Sequence, residues 1–114
     1  MPYLYDEKLA QYSATAYASL VKAKILGKTQ CTLVIKNHHA SHALNYRVLV
    51  SNDPEGAAGT WATDKAATAI AGAATPVPIE YELTGPYVWI DLQVASDGTD
   101  ESPQASAWLL AVGL

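Results

Sequence analysis

Hydrophobic and polar side chains alternate along four stretches of the chain. A period of two is typical of a β-strand that buries one face and leaves the other in water. The predicted inward residues are Cys31, Leu33 and Ile35 in QCTLVIKN, Leu44, Tyr46, Val48 and Val50 in LNYRVLVSN, Ile79, Tyr81 and Leu83 in PIEYEL, and Val88, Ile90, Leu92 and Val94 in YVWIDLQV. These stretches are expected to be half-buried strands around one core.

Turn-forming segments separate the alternating stretches and indicate the class of fold. NHHASHA, NDPEGAAGTW, AGAATP and ASDGTDESP are rich in residues that favour turns. Short strands at this spacing predict an all-β fold, an antiparallel β-sandwich of jelly-roll or immunoglobulin-like type. The last stretch, QASAWLLAVGL, is apolar on both faces, so it is either a central strand or a strand covered by a neighbouring subunit. Residues 57–74 carry small side chains and are expected to form a long loop around a short strand at residues 60–63.

The first quarter of the chain admits more than one interpretation. Residues 6–18 are Ala-rich and would fit a helix, whereas LVKAKIL alternates and predicts a strand over residues 19–26. Upstream, MPYLYDEK has no periodicity and is interpreted as an arm, whose Tyr3, Leu4 and Tyr5 either pack on their own domain or reach a partner. The chain is therefore divided into an N-terminal arm or extended segment, residues 1–18, and a β-sandwich domain, residues 19–114.

Length and net charge limit the number of domains and the kinds of partner that the chain can have. A chain of 114 residues, half of them hydrophobic, has room for one core, and its net charge of −4 argues against nucleic acid as a partner. Six basic and two acidic residues lie in residues 1–50, against one basic and nine acidic in residues 51–114. If these charges lie on different faces, one copy could dock on the next and favour a ring or an array. The simpler interpretation is that the two halves interleave in a sandwich and cancel.

The single cysteine and the N-terminal residues indicate the cellular compartment in which the chain is made. Cys31 lies in an apolar run and is predicted to be a small core residue, and one cysteine excludes an internal disulfide. Asp6 and Glu7 stand where a signal peptide would be basic, and no apolar run has the length needed to cross a bilayer. We expect synthesis in the cytoplasm, no membrane partner, and a final location that an assembly determines.

Candidate chemistry is weak throughout the sequence. His38, His39 and His42 are three imidazoles within five residues, but they fall in a connection between strands, where polar loop residues are the default. Five acidic residues in two turns offer oxygen ligands for calcium without the EF-hand spacing, and they are Asp53, Glu55, Asp97, Asp100 and Glu101. Glu80 and Glu82 are expected on one solvated strand face. No nucleophile elbow, phosphate loop or dinucleotide motif occurs, so we expect neither an enzyme nor a bound metal or cofactor.

The polar face of YVWIDLQV needs a separate explanation. Alternation predicts that Tyr87, Trp89, Asp91 and Gln93 point away from the core. Exposed aromatic side chains stack on sugar rings or are covered by another protein chain, and either use removes them from water. Tyr87 and Trp89 are therefore interface candidates together with the aromatic arm, and with Trp61 they form the candidate platform of a carbohydrate-binding module.

Two short motifs resemble small β-sandwich proteins of tailed-phage virions. In those proteins a strand ends in S-N-D, a Trp follows a Gly-containing loop, and an L-T-G-P-Y turn leads into another strand. The matching residues here are Ser51, Asn52, Asp53, Trp61, Leu83, Thr84, Gly85, Pro86 and Tyr87, and the resemblance covers roughly residues 30–114. The Ala-rich first third matches nothing in that pattern.

The resemblance implies a structural function without catalysis. Proteins of this kind are capsid decoration or cement proteins and minor tail components, which bind a preformed lattice as symmetric oligomers. It implies a virion structural protein that forms a homo-oligomer, a trimer being favoured, and binds the major capsid protein or another virion protein. The alternatives are a carbohydrate-binding module and a calcium-stabilised adhesion domain.

Overall fold

Eight strands account for the four alternating stretches and for four other segments of the chain. A computed structural model describes residues 3–11, 17–75, 77–96 and 104–113. Its strands are β1 (Tyr3–Gln11), β2 (Ala18–Lys24), β3 (Gln30–Asn37), β4 (Leu44–Ser51), β5 (Trp61–Ile70), β6 (Ile79–Glu82), β7 (Trp89–Ser96) and β8 (Gln104–Val112). Over these ranges there is no helix of the length and apolar character needed to cross a membrane. The all-β prediction is confirmed.

The strands pair as one long hairpin that has been rolled into two sheets. β1 pairs with β8, β2 with β7, β3 with β6 and β4 with β5, all antiparallel. Rolling then brings β3 against β8 and β4 against β7. The first sheet has the order β1-β8-β3-β6 and the second sheet has the order β2-β7-β4-β5. This is the strand order of a jelly roll, which decides between the two sandwich types predicted.

The core lies between the two sheets and is built from the predicted inward positions. Burial is complete for central aliphatic side chains of β3, β4, β7 and β8, which include Leu33, Ile35, Leu44, Val48, Ile90, Leu92, Val94 and Leu109. Most outward neighbours of these residues are polar or half-buried, as alternation requires, whereas Ala95 is buried and Leu110 is exposed. The final strand is central, flanked by β1 and β3.

The first quarter of the chain forms two strands. Residues 3–11 pair with β8 along their whole length as an edge of the first sheet, which is one of the two outcomes expected for the arm, although Ala-rich sequence favours a helix elsewhere. The strand expected at residues 19–26 is confirmed as β2, with Val21 and Ile25 buried and Lys22 and Lys24 exposed. Residues 12–16 lie outside the described residues, and the division of the chain at residue 18 stays a prediction.

The prediction of a long loop with a short strand at residues 60–63 is wrong. β5 runs over ten residues, Trp61–Ile70, and pairs with β4 through two irregularities of register. In each irregularity β5 carries one more residue than β4, as in a β-bulge, so its side chains do not keep a period of two. Small alanines with low β-propensity concealed the strand further, because they signal neither a core face nor a strand.

Cys31 is the small core residue that its apolar surroundings predicted, with 3% of its surface exposed. Burial raises the pKa of its thiol to about 12, with a smaller contribution from the charge of Asp64. We expect a thiol reagent at pH 8 to leave the folded protein unlabelled and to modify Cys31 at once in denaturant, because the thiolate is the reacting form. Rapid stoichiometric labelling of the native protein would contradict this placement.

Candidate functional site

The outer surface of the first sheet is apolar at its centre. On β8, Trp108 and Val112 are half-buried and Leu110 is 45% exposed, while their neighbours Ala107, Leu109 and Ala111 are buried. On β3, Val34 lies opposite Trp108, and Thr32 lies opposite Leu110. We call the outward residues Thr32, Val34, Trp108, Leu110 and Val112, with Glu80 and Glu82 of β6, the first-sheet face. The last strand is apolar on both sides in the sequence, and its outward apolar side chains form the centre of this face.

Acidic side chains border the first-sheet face along β6. Glu80 and Glu82 are both exposed and lie opposite Val34 and Thr32 in the ladder. The amide of Gln30 donates a hydrogen bond of 3.1 Å to Glu82 and holds that carboxylate beside the sheet. The prediction that both glutamates share a solvated strand face is confirmed.

The predicted arm residues continue the first sheet at its other edge. Tyr3, Leu4 and Tyr5 lie opposite Val112, Ala111 and Leu110 of β8 in register. Their backbone therefore belongs to the same sheet as the apolar centre, and their role in an interface stays a prediction.

The outer surface of the second sheet is basic. Lys22 and Lys24 are exposed on β2, and Arg47 is half-buried on β4. The Lys22 ammonium lies 5.3 Å from the centroid of the Trp61 ring, and the Arg47 guanidinium lies 4.2 Å from that of Tyr17. Cations over aromatic faces at these distances are attracted to the ring. We call Lys22, Lys24, Arg47, Trp61, Trp89, Asp91 and Gln93 the second-sheet face.

A buried carboxylate lies within the second-sheet face. Asp91 was predicted to point outward, and it does so, but only 5% of it is exposed. The Gln93 amide donates a 2.8 Å hydrogen bond to Asp91 Oδ2, and Arg47 Nε donates a 2.8 Å bond to the oxygen of Gln93. Gln93 thus links the Arg47 cation to the Asp91 carboxylate, while Asp91 Oδ1 accepts no hydrogen bond from the residues that the structure describes.

Trp61 and Trp89 hold the loop between β4 and β5 against the second sheet. Trp61 Nε1 donates to the carbonyl of Gly56 at 3.0 Å, and Trp89 Nε1 donates to that of Pro54 at 3.1 Å. Gly56 has a φ of +61°, and a Cβ there would lie 3.2 Å from Trp61 and 3.4 Å from Trp89. Glycine is therefore required between the two rings. Trp89 points outward as predicted, but its own loop covers part of it and it is half-buried, and its interface role stays a prediction.

Tyr87 differs from its predicted outward position. β7 begins only at Trp89, and Tyr87 packs against the core before the strand's alternation starts. Its hydroxyl donates a 3.0 Å hydrogen bond to Asp64 Oδ1. Pro86, which has no N–H for a ladder, precedes it and helps to delay the start of the strand. Tyr87 therefore has a structural role here, and the interface role predicted for it stays a prediction.

Asp64 joins the two sheets at their β5 and β6 edges. Besides Tyr87, its carboxylate accepts hydrogen bonds of 2.5 Å from the Tyr81 and Thr84 hydroxyls. Burial alone would raise the pKa of Asp64, but the bonds from Thr84, Tyr81 and Tyr87 outweigh it and hold that pKa below its ordinary value. Burial, with the nearby carboxylate, raises the pKa of Tyr81 and keeps the phenol a donor. The role of Asp64 could not be predicted from the sequence, because a β-bulge rather than strand alternation directs its carboxylate toward these hydroxyls.

The residues that carry the phage-virion resemblance gather at one end of the sandwich. There a cleft of about 320 Å³ is lined by Leu26, Gly27, Lys28, Thr29, Asn52, Pro86, Tyr87 and Val88. The amide of Val88 donates to the carbonyl of Ser51 at 3.2 Å and fastens the L-T-G-P-Y turn to the end of β4. Both motifs thus fix the geometry of this end of the molecule.

The described residues that were considered as metal ligands make hydrogen bonds, several of them within turns. His39 Nδ1 accepts hydrogen bonds from the amides of Ser41 and His42, and His38 Nε2 is 2.6 Å from the Ser106 hydroxyl. Asp53 accepts hydrogen bonds from two amides of its own loop. Within the described ranges, no three His, Cys, Asp or Glu residues are placed to hold one metal ion. Asp97, Asp100 and Glu101 lie outside the described residues, so the calcium hypothesis stays untested.

No protein-family model and no curated protein matches this chain. Solved structures do match it. One is from the Bacillus endospore appendages, a family of disulfide-linked pili, with a TM-score of 0.53 and 9% identity over 98% of this chain and 89% of that chain. Another is PirA, with a TM-score of 0.58 and 13% identity over 90% of each chain.

A third match comes from the T13 particle of infectious bursal disease virus. It has a TM-score of 0.59 and 13% identity over 99% of this chain. This chain corresponds to 32% of that viral chain. At such identities the likeness establishes the fold, which these proteins of different kinds share, and function has to be argued from the residues of this chain.

Proposed function

We propose that this protein is a non-enzymatic structural subunit of a virion, a capsid decoration or cement protein that self-associates on the particle. The observation that carries the proposal is the apolar centre of the first-sheet face. Trp108, Leu110 and Val34 form a contiguous outward patch on two central strands, where a soluble monomer would place polar residues. Covering such a patch with protein gains free energy in proportion to the apolar area removed from water.

Two further observations support the proposal. The motifs shared with small tailed-phage virion proteins lie together at one end of the sandwich. A related fold also occurs in a viral particle and in endospore appendages, which are both built from repeated subunits. The partners that follow are other copies, with a trimer favoured, and the major capsid protein or another virion protein. Nucleic acid and membranes are not partners in this proposal.

Light scattering over a wide concentration range tests the proposal. We expect the wild type to form a defined oligomer and Leu110→Glu to be monomeric with an unchanged melting temperature, because a charge on an exposed position disrupts association without entering the core. On particles purified from the producing host, an antibody to this chain should label the shell at regular spacing. A wild type that stays monomeric at all concentrations, together with unlabelled particles, would contradict the proposal.

A further inference from the structure

The two outer faces of the sandwich carry opposite charge. Among the residues with described side chains, the second-sheet face has Lys22, Lys24 and Arg47 against the single carboxylate of Asp91. The first-sheet face has Glu80 and Glu82 exposed along β6, against the half-buried Lys36 on the outward side of β3. The strands of the two halves of the sequence interleave, as expected for a sandwich, yet the exposed charged pairs of β2 and β6 have opposite sign and lie on different faces.

The charged pairs on the two faces also match in spacing. Lys22 and Lys24 are two residues apart on β2, an edge strand of the second sheet. Glu80 and Glu82 are two residues apart on β6, an edge strand of the first sheet. Residues i and i+2 of a strand project from one face about 7 Å apart. Both pairs therefore present two like charges at the same separation, with opposite sign.

From these observations we infer that the first-sheet face of one copy docks on the second-sheet face of the next copy, so that Glu80 and Glu82 pair with Lys22 and Lys24. The inference rests on the proposed function and specifies how its copies associate. Sheets that pack face to face keep their strands within about 30° of one another, so a β6 edge above a β2 edge brings β3 and β8 over β7 and β4. The apolar centre of the first-sheet face then covers Trp89 and Leu49 of the neighbour.

The buried acid of the second-sheet face does not oppose this docking. Asp91 is already 95% out of water in the single chain, since only 5% of it is exposed, and Gln93 donates to it. A neighbour therefore meets mainly the exposed lysines and the half-buried aromatic rings. A contact between two different faces is heterologous, and because these faces lie on opposite sides of the sandwich, its repetition generates an open array of stacked copies.

Charge reversal separates this geometry from other modes of association. One variant carries Glu80→Lys and Glu82→Lys, and a second carries Lys22→Glu and Lys24→Glu. Each variant alone would bring like charges together, and we expect its self-association to weaken by about tenfold or more. An equimolar mixture should associate again, and so should a chain with all four reversals. In the wild type, association should weaken as salt rises from about 0.05 to about 0.5 M.

Several outcomes distinguish the possibilities. Lys28→Glu, in the turn between β2 and β3, is the control for a change of net charge and should associate like the wild type. If the wild type associates but the lysine-reversed variant does so equally well, the docking is wrong while the proposed function stands; the contact would then join two first-sheet faces. A wild type that is monomeric throughout would overturn both. The charge-reversal variants change exposed residues and the control changes the half-buried Lys28, and melting temperatures near that of the wild type verify that all of them fold.

Discussion

Replacing Asp64 with alanine should lower the free energy of unfolding by about 3 kcal/mol at neutral pH, because three hydroxyl donors lose a charged acceptor together. Tyr81, Thr84 and Tyr87 all direct their hydroxyls at this carboxylate, and they belong to β6 and to the segment before β7. Asp64 itself belongs to β5 in the other sheet, so the loss would open the edge where β5 meets β6. Urea denaturation followed by Trp fluorescence measures the change.

The stabilisation that Asp64 provides should decrease as the pH falls. The pKa of Asp64 is lower in the folded protein than its ordinary value of about 3.9. The unfolded chain therefore binds the proton more tightly, and the stabilisation is complete above that value and lost as pH falls through the folded pKa. The difference between wild type and Asp64→Ala should shrink between about pH 5 and pH 2.

Two comparisons make the Asp64 prediction specific. Tyr81→Phe removes one of the three hydroxyls, and we expect it to cost about 1 to 2 kcal/mol. Glu55→Ala removes an acidic side chain that is exposed in the loop between β4 and β5, and it should change stability by less than about 0.5 kcal/mol. If Asp64→Ala were as harmless as Glu55→Ala, the hydrogen-bonded carboxylate would not be what joins the two sheets.

Leu109→Ala and Leu110→Ala should have opposite effects on folding and assembly, although the residues are adjacent. Leu109 is fully buried between the sheets, and truncating it should cost about 2 to 5 kcal/mol, from lost burial and from the cavity left behind. Leu110 is 45% exposed on the first-sheet face, and its truncation should change monomer stability by less than about 0.5 kcal/mol while weakening self-association. Denaturation at low protein concentration and sedimentation at high concentration measure the two effects separately.

A result in which Leu110→Ala destabilises as much as Leu109→Ala would mean that the first-sheet face packs inside the chain. Unchanged self-association of Leu110→Ala and of the charged Leu110→Glu would instead remove the patch from the interface. The pair of variants thus tests the proposed role of β8 independently of the charges at the rim.

Alternation predicted the strands whose outward side chains are polar. β3, β4 and β7 place Leu33, Val48 and Leu92 inward as expected, because one face of each packs in the core and the other does not. β5 was missed because its alanines fit any structure and its bulges interrupt the period of two. A helix remained open for residues 6–18 because the pairing with β8 that fixes β1 spans about 100 positions and leaves no local trace.

Some features of the candidate sites could also be predicted from local sequence, and others depend on the tertiary structure. The outer apolar face of β8 was visible as a strand apolar on both sides, and the opposite charge of the two halves was visible in composition. The packing of the half-buried Tyr87 against the core and the contacts of Trp89 with its loop could not be predicted, because they depend on where β7 begins and on how the β4–β5 loop folds back. The Asp64 cluster joins three segments of the chain, and only the tertiary structure brings them together.

The nested pairing of the strands sets an order in which the molecule can be completed during synthesis. The inner hairpin, β4 with β5, closes across only nine residues and can form as soon as both strands have left the ribosome. The first sheet cannot, because its β1 and β3 are not neighbours and β8, the last strand made, must enter between them. Until then the buried apolar side chains of β3 have no complete sheet around them, and the speed of translation rather than local propensity determines how long the chain remains partly folded.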